Sequence, residues 1–168
     1  PMPDHFILLR HQQGDDWDYC VIEHLGPKAT VDAAGRASNP GRTLRAWHTD
    51  TFMSGPAWPE FAKAMGIGDA ASAKSVYSLA VWRAVTGHRE DLQKALGQAP
   101  ADAKVPSASV TLTHVEGGPW EFVALQRFNS WQDFATYQAD TAGDDGWNVV
   151  RQYGSYHHDT LADRLAPK

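Results

Sequence analysis

The stretch HQQGDDWDY at residues 11–19 recurs in the second half of the chain as HVEGGPWEF at residues 114–122. Both fit the pattern H-x-x-G-x-x-W-[DE]-[YF], and each lies between runs of apolar and β-branched residues. Such runs favour strands, and a glycine between them supplies the positive φ that a tight turn needs. Each stretch is therefore predicted to form a β-hairpin, and the chain to contain an internal repeat.

A second recurrence follows in the same order, since WPEFA at residues 58–62 corresponds to WQDFA at residues 131–135. Both segments are predicted to begin helices. Ser130 is a favourable N-cap residue, and Pro59 lies in the first turn, where a helix tolerates a missing N–H. The recurrence thus extends the repeat from a hairpin to a hairpin followed by a helix.

A third recurrence pairs HREDL at residues 88–92 with HHDTL at residues 157–161. In the first half, a strand is predicted over residues 76–85, with a helix after it. The same change from strand to helix is predicted in the second half. There Leu161 and Leu165 have the i, i+4 spacing of one helix face.

Each half therefore reads strand, strand, helix, strand, helix. This order predicts one α+β domain of internally duplicated ββαβα units, with repeat 1 at about 5–97 and repeat 2 at about 108–166. An insertion at about 28–57 has no counterpart in repeat 2. Residues 76–153 read βαββαβ, the ferredoxin-like order of an antiparallel sheet with helices on one face. The other face then needs cover from the second half, a second subunit, or both.

The run VWRAVTGH at residues 81–88, the predicted strand at 122–128 and WQDF at 131–134 resemble the dimeric α+β barrel superfamily. That superfamily includes the antibiotic-biosynthesis-monooxygenase-like and stress-responsive barrel proteins. The resemblance covers about half of the chain and rests on element order and the aromatic start of a helix. It implies a barrel-type sheet and a homodimer, but it transfers no catalytic residue.

Composition narrows the classes of function. The chain is 42% hydrophobic and 21% charged, as expected for a globular protein. Its formal net charge is −5 and its Lys and Arg residues are not clustered, so no nucleic-acid partner is predicted. No apolar run approaches the roughly 18 residues that a membrane-spanning helix needs, so a soluble protein is expected.

Cys20 is the single cysteine, so an internal disulfide is excluded. Its apolar neighbours predict a buried thiol rather than a reactive one. Numbering starts at Pro1, which leaves room for a removed signal peptide. The compartment therefore stays open between the cytoplasm and the periplasmic or secreted space.

The strong catalytic motifs are missing. The chain has no G-x-G-x-x-G, P-loop, G-x-S-x-G, H-E-x-x-H or CxxC pattern, which disfavours a nucleotide fold, a hydrolase elbow and the usual zinc sites. No metal site is predicted. The remaining signal is an excess of eight histidines and seven tryptophans.

Four of these residues belong to the repeated hairpins. His11 and His114 hold equivalent positions, which permits a pair of ligands or an acid and a base, or a structural role for each imidazole in its own turn. Trp17 and Trp120 are interpreted as anchors of the hairpin core, with lining of a ligand pocket as the alternative.

Other candidates lie outside the hairpins. His48 and Asp50 share one face of a predicted strand in the insertion, where a carboxylate would raise the basicity of imidazole; simple exposure is the alternative. His88 and Arg89 open a helix, where the dipole favours a neutral imidazole. There His88 is either a base or a surface cap.

Trp82 alternates with small residues on the predicted strand at 76–85. Its face also carries Ser78, Ala80 and Ala84, whereas the opposite face is more apolar and suits a layer of helices. Trp82 is therefore predicted to face the open side of the sheet, in a ligand pocket or a subunit interface.

Three functions follow as hypotheses, and whether the chain is an enzyme stays open. The first is a small-molecule-binding barrel, acting as a cofactor-independent oxygenase-like or isomerase-like enzyme on a planar organic acid. Its base would be one of three histidines, its anion-stabilising group one of two arginines, and its apolar wall a pair of tryptophans: His114, His88 or His48; Arg89 or Arg83; Trp82 and Trp120. The second is a haem-binding barrel with a histidine ligand, and the third a non-catalytic homodimeric interaction module. No cofactor is predicted under the first hypothesis.

Overall fold

The computed structural model of the chain describes residues 5–26, 44, 46–98, 106–143 and 145–165. Within these residues the chain forms seven β-strands and four α-helices. In chain order they are β1 (Phe6–Gln13), β2 (Tyr19–Glu23), β3 (Phe52–Ser54), α1 (Trp58–Met65), β4 (Val76–Ala84), α2 (Arg89–Gly97), β5 (Ala108–Glu116), β6 (Phe122–Phe128), α3 (Trp131–Asp140), α4 (Gly146–Tyr153) and β7 (Gly154–Leu165). A 3-10 helix, Ala70–Lys74, precedes β4. Most of the predicted insertion, namely residues 28–43 and 45, lies outside the described part.

All seven strands belong to one curled antiparallel sheet with the order β2-β1-β7-β4-β6-β5-β3. The α+β class is therefore confirmed. Its four central strands, with α2, α3 and α4 between them, follow the chain as β4, α2, β5, β6, α3–α4, β7. This is a βαββαβ order that ends at residue 165, not 153 as predicted. The hairpin β1–β2 extends the sheet beyond β7, and β3 extends it beyond β5.

Local signals predicted two helix starts correctly. The hydroxyl of Ser130 accepts a hydrogen bond from the N–H of Asp133, 3.1 Å away, as expected for the N-cap of α3. Pro59 lies in the first turn of α1. The strand predicted over residues 76–85 is β4, and the helix after it is α2.

The prediction for residues 157–161 was wrong, because strand and helix occur there in the opposite order. Helix α4 comes first, and His157 lies within β7. Strand β7 pairs with β1 on one side and with β4 on the other, so its backbone hydrogen bonds are satisfied by two distant segments. Leu161 and Leu165 thus belong to a strand, and the third recurrence does not join two helices.

Both faces of the sheet are covered around β4, and we call them inner and outer. On the inner face, Tyr77 and Leu79 pack against α1, and the Tyr77 hydroxyl donates to the carbonyl oxygen of Met65 at 2.8 Å. On the outer face, Trp82 packs with Leu92 of α2 and with residues of α4. Alternation along one buried strand therefore supplies both apolar layers.

The two hairpins have the same local geometry. Gly14 and Gly117 have φ of 116° and 112°. A Cβ added to Gly14 would lie 2.8 Å from the Thr160 Cα, and one added to Gly117 would lie 2.8 Å from the Thr51 Cα. The first strand of each hairpin also pairs with its neighbour outside the hairpin through a register shift at the equivalent position. In the β1–β7 pairing the shift lies between His11 and Gln13, and in the β5–β3 pairing it lies between Phe52 and Met53, where Met53 is the partner of His114. Glycine is required at both turns, because any side chain would be strained and would meet backbone.

Candidate functional site

A groove of about 590 Å³ opens where the turn after β4 faces the hairpin between β5 and β6. One wall is the segment Val85-Thr86-Gly87, which leads into α2. The other wall is Gly118-Pro119-Trp120, at the start of β6. Two tight turns therefore bound the groove. They contribute backbone groups and the apolar side chains of Val85, Pro119 and Trp120.

Glu121 joins the two walls. Its Oε2 accepts a hydrogen bond of 2.6 Å from the backbone N–H of Ala84, and its Oε1 lies 3.6 Å from Nε of Arg89. The Arg89 guanidinium also lies over the ring of Phe122, 5.0 Å from the ring centroid. Arg89 is thus held in the groove by a carboxylate and an aromatic face.

Arg83 provides a second cation with a different environment. Its guanidinium lies 4.5 Å from the centroid of the Tyr156 ring. Among the residues that the structure describes, Arg83 forms no ion pair. Its N–H donors therefore stay available to an anion that enters the groove.

His114 also lines the groove, at the end of β5. Its backbone N–H donates to the carbonyl oxygen of Glu121 at 2.8 Å, and its ring meets the edge of Trp120 at a centroid distance of 6.1 Å. Within the described residues, the ring atom Nε2 is buried and has no hydrogen-bond partner. A buried, unsatisfied imidazole nitrogen beside a groove is a place where a ligand group can complete the hydrogen bonding.

The groove thus contains four of the predicted candidates, His114, Arg89, Arg83 and Trp120. His88 lies next to it but does not line it. Its Nδ1 is 2.9 Å from Oδ2 of Asp91, and its ring stacks on Tyr153 at 5.6 Å. His88 is therefore tied to its own helix and to α4.

His48 and Asp50 do not line the groove; their Nε2 and Oδ2 are 3.7 Å apart, and both side chains are exposed. A similar pair occurs in β7, where His157 Nε2 is 3.5 Å from Asp159 Oδ2. Burial raises the pKa of Asp159 from its ordinary value, although the charges of His157, His158 and Arg151 oppose that rise. A threonine follows the aspartate in both pairs, Thr51 and Thr160, and packs at the turn glycine of a hairpin. The shared H-x-D-T pattern was visible in the sequence.

His11 and Trp17 repeat the pairing of His114 and Trp120 at the other hairpin, with ring centroids 5.5 Å apart. The Nε2 of His11 is also buried without a partner. Three strands separate β1 from β5 in the sheet, and neither His11 nor Trp17 lines the groove. The structure therefore does not bring the two hairpin histidines together in that groove.

Trp82 does not face an open side of the sheet, so that expectation was wrong. Its side chain is 2% exposed on the outer face, where α2 and α4 cover it. The indole stacks on His157 at 4.6 Å and meets the edge of Trp147 at 5.7 Å. Gly154 permits this packing, since an added Cβ would lie 2.9 Å from the indole. Trp82 is thus a core residue and not a wall of the groove.

Glu121 is the functional residue that the sequence interpretation missed. It occupies the acidic position of the repeated pattern, so the signal was present. Cys20 is half-buried against the inner-face core rather than fully buried as predicted, and burial raises the pKa of its thiol to about 11. A thiol that stays protonated is a poor nucleophile.

The described part of the chain contains neither a candidate metal site nor a candidate membrane-spanning helix. No group of three or more His, Cys, Asp or Glu residues within it is arranged to hold a metal ion. No helix within it is long and apolar enough to cross a membrane. Comparison with protein-family models, with curated proteins and with solved structures gives no match to this chain.

Proposed function

We propose that the groove between β4, α2 and the β5–β6 hairpin binds a small organic acid and that His114 removes a proton from it. The observation that carries this proposal is that His114, whose Nε2 has no hydrogen-bond partner within the described residues, lines a groove together with two arginines. The chain would then be a small-molecule-binding barrel that acts as a cofactor-independent enzyme of the isomerase-like or oxygenase-like kind.

Each group has a chemical role in this proposal. The Trp120 indole supplies an apolar wall for a planar substrate. In the neutral ring, Nε2 of His114 takes up the proton. The electron pair of the broken C–H bond forms a C=C bond with the carbonyl carbon, and the π pair of the carbonyl moves to its oxygen to give an enolate. Arg83 and Arg89 stabilise the negative charge of substrate and enolate.

Proton removal is tested with phenylpyruvate, an enolisable planar acid, in D₂O. NMR follows the exchange of its C3 protons for deuterium. The wild type is expected to accelerate the exchange, and His114→Gln to lower kcat by about 100-fold or more, the usual contribution of a general base. His11→Gln is the matched control, because His11 has the same hairpin position but lies outside the groove. Equal exchange rates with wild type and His114→Gln would refute the assignment of the base.

The two other hypotheses are outcomes of a simple measurement. Native mass spectrometry and a visible spectrum of the purified protein report subunit number and any retained ligand together. A Soret band would favour a haem-binding barrel with a histidine ligand. A dimer without ligand that also fails to accelerate exchange would favour a non-catalytic interaction module.

We also propose that the two halves derive from one duplicated unit and that the protein is a homodimer of the α+β barrel type. The equal turn geometry at Gly14 and Gly117 and the matching register shifts support the duplication. Tyr19 and Val21, exposed on the edge strand β2, support self-association. Sedimentation equilibrium tests this, since a monomer at every concentration would refute the dimer.

A further inference from the structure

The groove has more positive than negative side chains, and this excess favours acids of one charge over acids of another. Its side chains include two cations, Arg83 and Arg89, and one anion, Glu121. With a neutral His114 ring, these side chains carry one net positive charge. A ligand with one negative charge therefore neutralises the groove, whereas a ligand with two leaves an uncompensated anion in it.

The two arginines are not equivalent partners for a ligand. Arg89 already faces Glu121, with Nε 3.6 Å from Oε1. The Arg83 guanidinium lies over the Tyr156 ring and forms no ion pair with any described residue, which leaves its planar fork of N–H donors available. A carboxylate matches that fork with two parallel hydrogen bonds.

Glu121 is fixed in place, so a ligand cannot easily push its charge away. The backbone N–H of Ala84 donates to Oε2 at 2.6 Å, and the neighbouring backbone of β5 and β4 pairs with Glu121 on both sides, through His114 N–H and Trp82 C=O. A second negative charge on a ligand in the groove would be repelled by this carboxylate. We expect this repulsion to weaken the binding of a doubly charged ligand relative to a singly charged one.

We infer that the ligand of the groove is an aromatic or alicyclic monocarboxylic acid, that its carboxylate binds Arg83, and that Glu121 excludes doubly charged phosphate esters. The apolar body of the acid would lie on Trp120 and Pro119. This inference rests on the proposed function, because it concerns the same groove. It adds the charge class of the substrate and a specificity-determining residue.

The test is isothermal titration at pH 8 with 2-naphthoate and 2-naphthyl phosphate, which share one aromatic body. The phosphate monoester is doubly charged at that pH, because its second pKa is about 6. We expect the wild type to bind 2-naphthoate at least about tenfold more tightly than the phosphate, a free-energy difference of about 1.4 kcal/mol.

Three variants assign the effect. Glu121→Gln keeps an acceptor for the Ala84 N–H but removes the charge, so it should raise the affinity for the phosphate by about tenfold and change naphthoate binding less. Arg83→Gln should weaken naphthoate binding by about tenfold or more. Arg151→Gln is the matched control, because Arg151 also lies over an aromatic ring, that of Trp147 at 5.1 Å, but outside the groove. Circular dichroism verifies that each variant is folded.

The outcomes separate the two proposals. Phosphate binding as tight as naphthoate binding in the wild type, or a Glu121→Gln variant with unchanged preference, would overturn the monocarboxylate inference while leaving His114 as the base. Binding of neither probe would overturn both. Tight naphthoate binding without proton exchange on phenylpyruvate would support the inference and refute only the proposed reaction.

Discussion

The two hairpins share a sequence pattern and a backbone geometry, but only one of them lines the groove beside α2. Hairpin β5–β6, which we call the inner hairpin, lies inside the sheet, since β6 pairs with β4 and the turn into α2 lies beside it. Hairpin β1–β2 lies at the edge, where β2 has no neighbour on its outer side within the described residues. The repeated residues therefore build the hairpins, whereas the non-repeated neighbours of β6 create the site.

The turn residues of the two hairpins also differ in charge. Where the inner hairpin has Gly118 and Pro119, the edge hairpin has Asp15 and Asp16. Two carboxylates at that position would repel an organic acid, while glycine and proline leave space for it. The turn next to His11 thus carries two acidic side chains, whereas the equivalent positions next to His114 carry none.

The largest effect is expected from the shared turn glycines. Gly14→Ala and Gly117→Ala should each lower the free energy of unfolding by about 3 kcal/mol, because a Cβ at positive φ is strained and would meet neighbouring backbone. Urea denaturation measures both. Ligand binding by the folded fraction should fall only for Gly117→Ala. An equal loss of binding for Gly14→Ala would contradict the functional difference between the hairpins.

A smaller effect separates the acidic positions of the two hairpins. Glu121→Gln should lower the free energy of unfolding by about 1 kcal/mol, since it weakens a charge-assisted hydrogen bond from the Ala84 N–H. The equivalent change Asp18→Asn should alter it by less than about 0.5 kcal/mol, because Asp18 is exposed. Thermal denaturation of both variants provides the comparison, and a larger loss for Asp18→Asn would reverse the assignment.

The smallest effect concerns the ion pair that joins β1 to β7. Burial alone would raise the pKa of Asp163, but hydrogen bonds from Arg10 and Gln12 and the charge of Arg10 outweigh burial and lower it from 3.8. Ionised Asp163 therefore stabilises the fold above its ordinary pKa, and this stability is lost as pH falls through the lowered value. Asp163→Asn should lower the free energy of unfolding by about 0.5–1 kcal/mol at pH 7. The loss is small because Arg10 is exposed, so solvent screens the ion pair.

The pH dependence supplies the control for that prediction. The difference between wild type and Asp163→Asn should narrow below pH of about 4 and vanish once the carboxyl is protonated. Urea denaturation from pH 7 to pH 2.5 follows it. A difference that stays constant over this range would mean that the charge of Asp163 is not the cause.

Local patterns predicted the elements that depend on local chemistry. The hairpins, the N-cap at Ser130 and the alternation along β4 all follow from short stretches of sequence. Strand β7 did not, because its pairing with both β1 and β4 joins segments that are distant in the chain. An i, i+4 pair of leucines also fits a strand, where both side chains project from one face.

The error at the C-terminal segment also explains the error at Trp82. No helix was predicted over residues 146–153. Cover for the outer face was expected from elsewhere in the second half or from a second subunit, and Trp82 was assigned to a ligand pocket or a subunit interface. Helix α4 fills that space. His114, Trp120, Arg89 and Arg83 were predicted as candidates on chemical grounds, but only the packing of β4 against β6 shows that Glu121 joins them.

The central claim is that the inner hairpin, and not its edge counterpart, forms the ligand site. Titration of ¹⁵N-labelled protein with 2-naphthoate, followed by ¹H–¹⁵N NMR, tests it residue by residue. We predict that shifts concentrate at residues 83–89 and 114–121 and that residues 11–18 stay unchanged. Shifts centred on residues 11–18, or none at either hairpin at millimolar ligand, would contradict it.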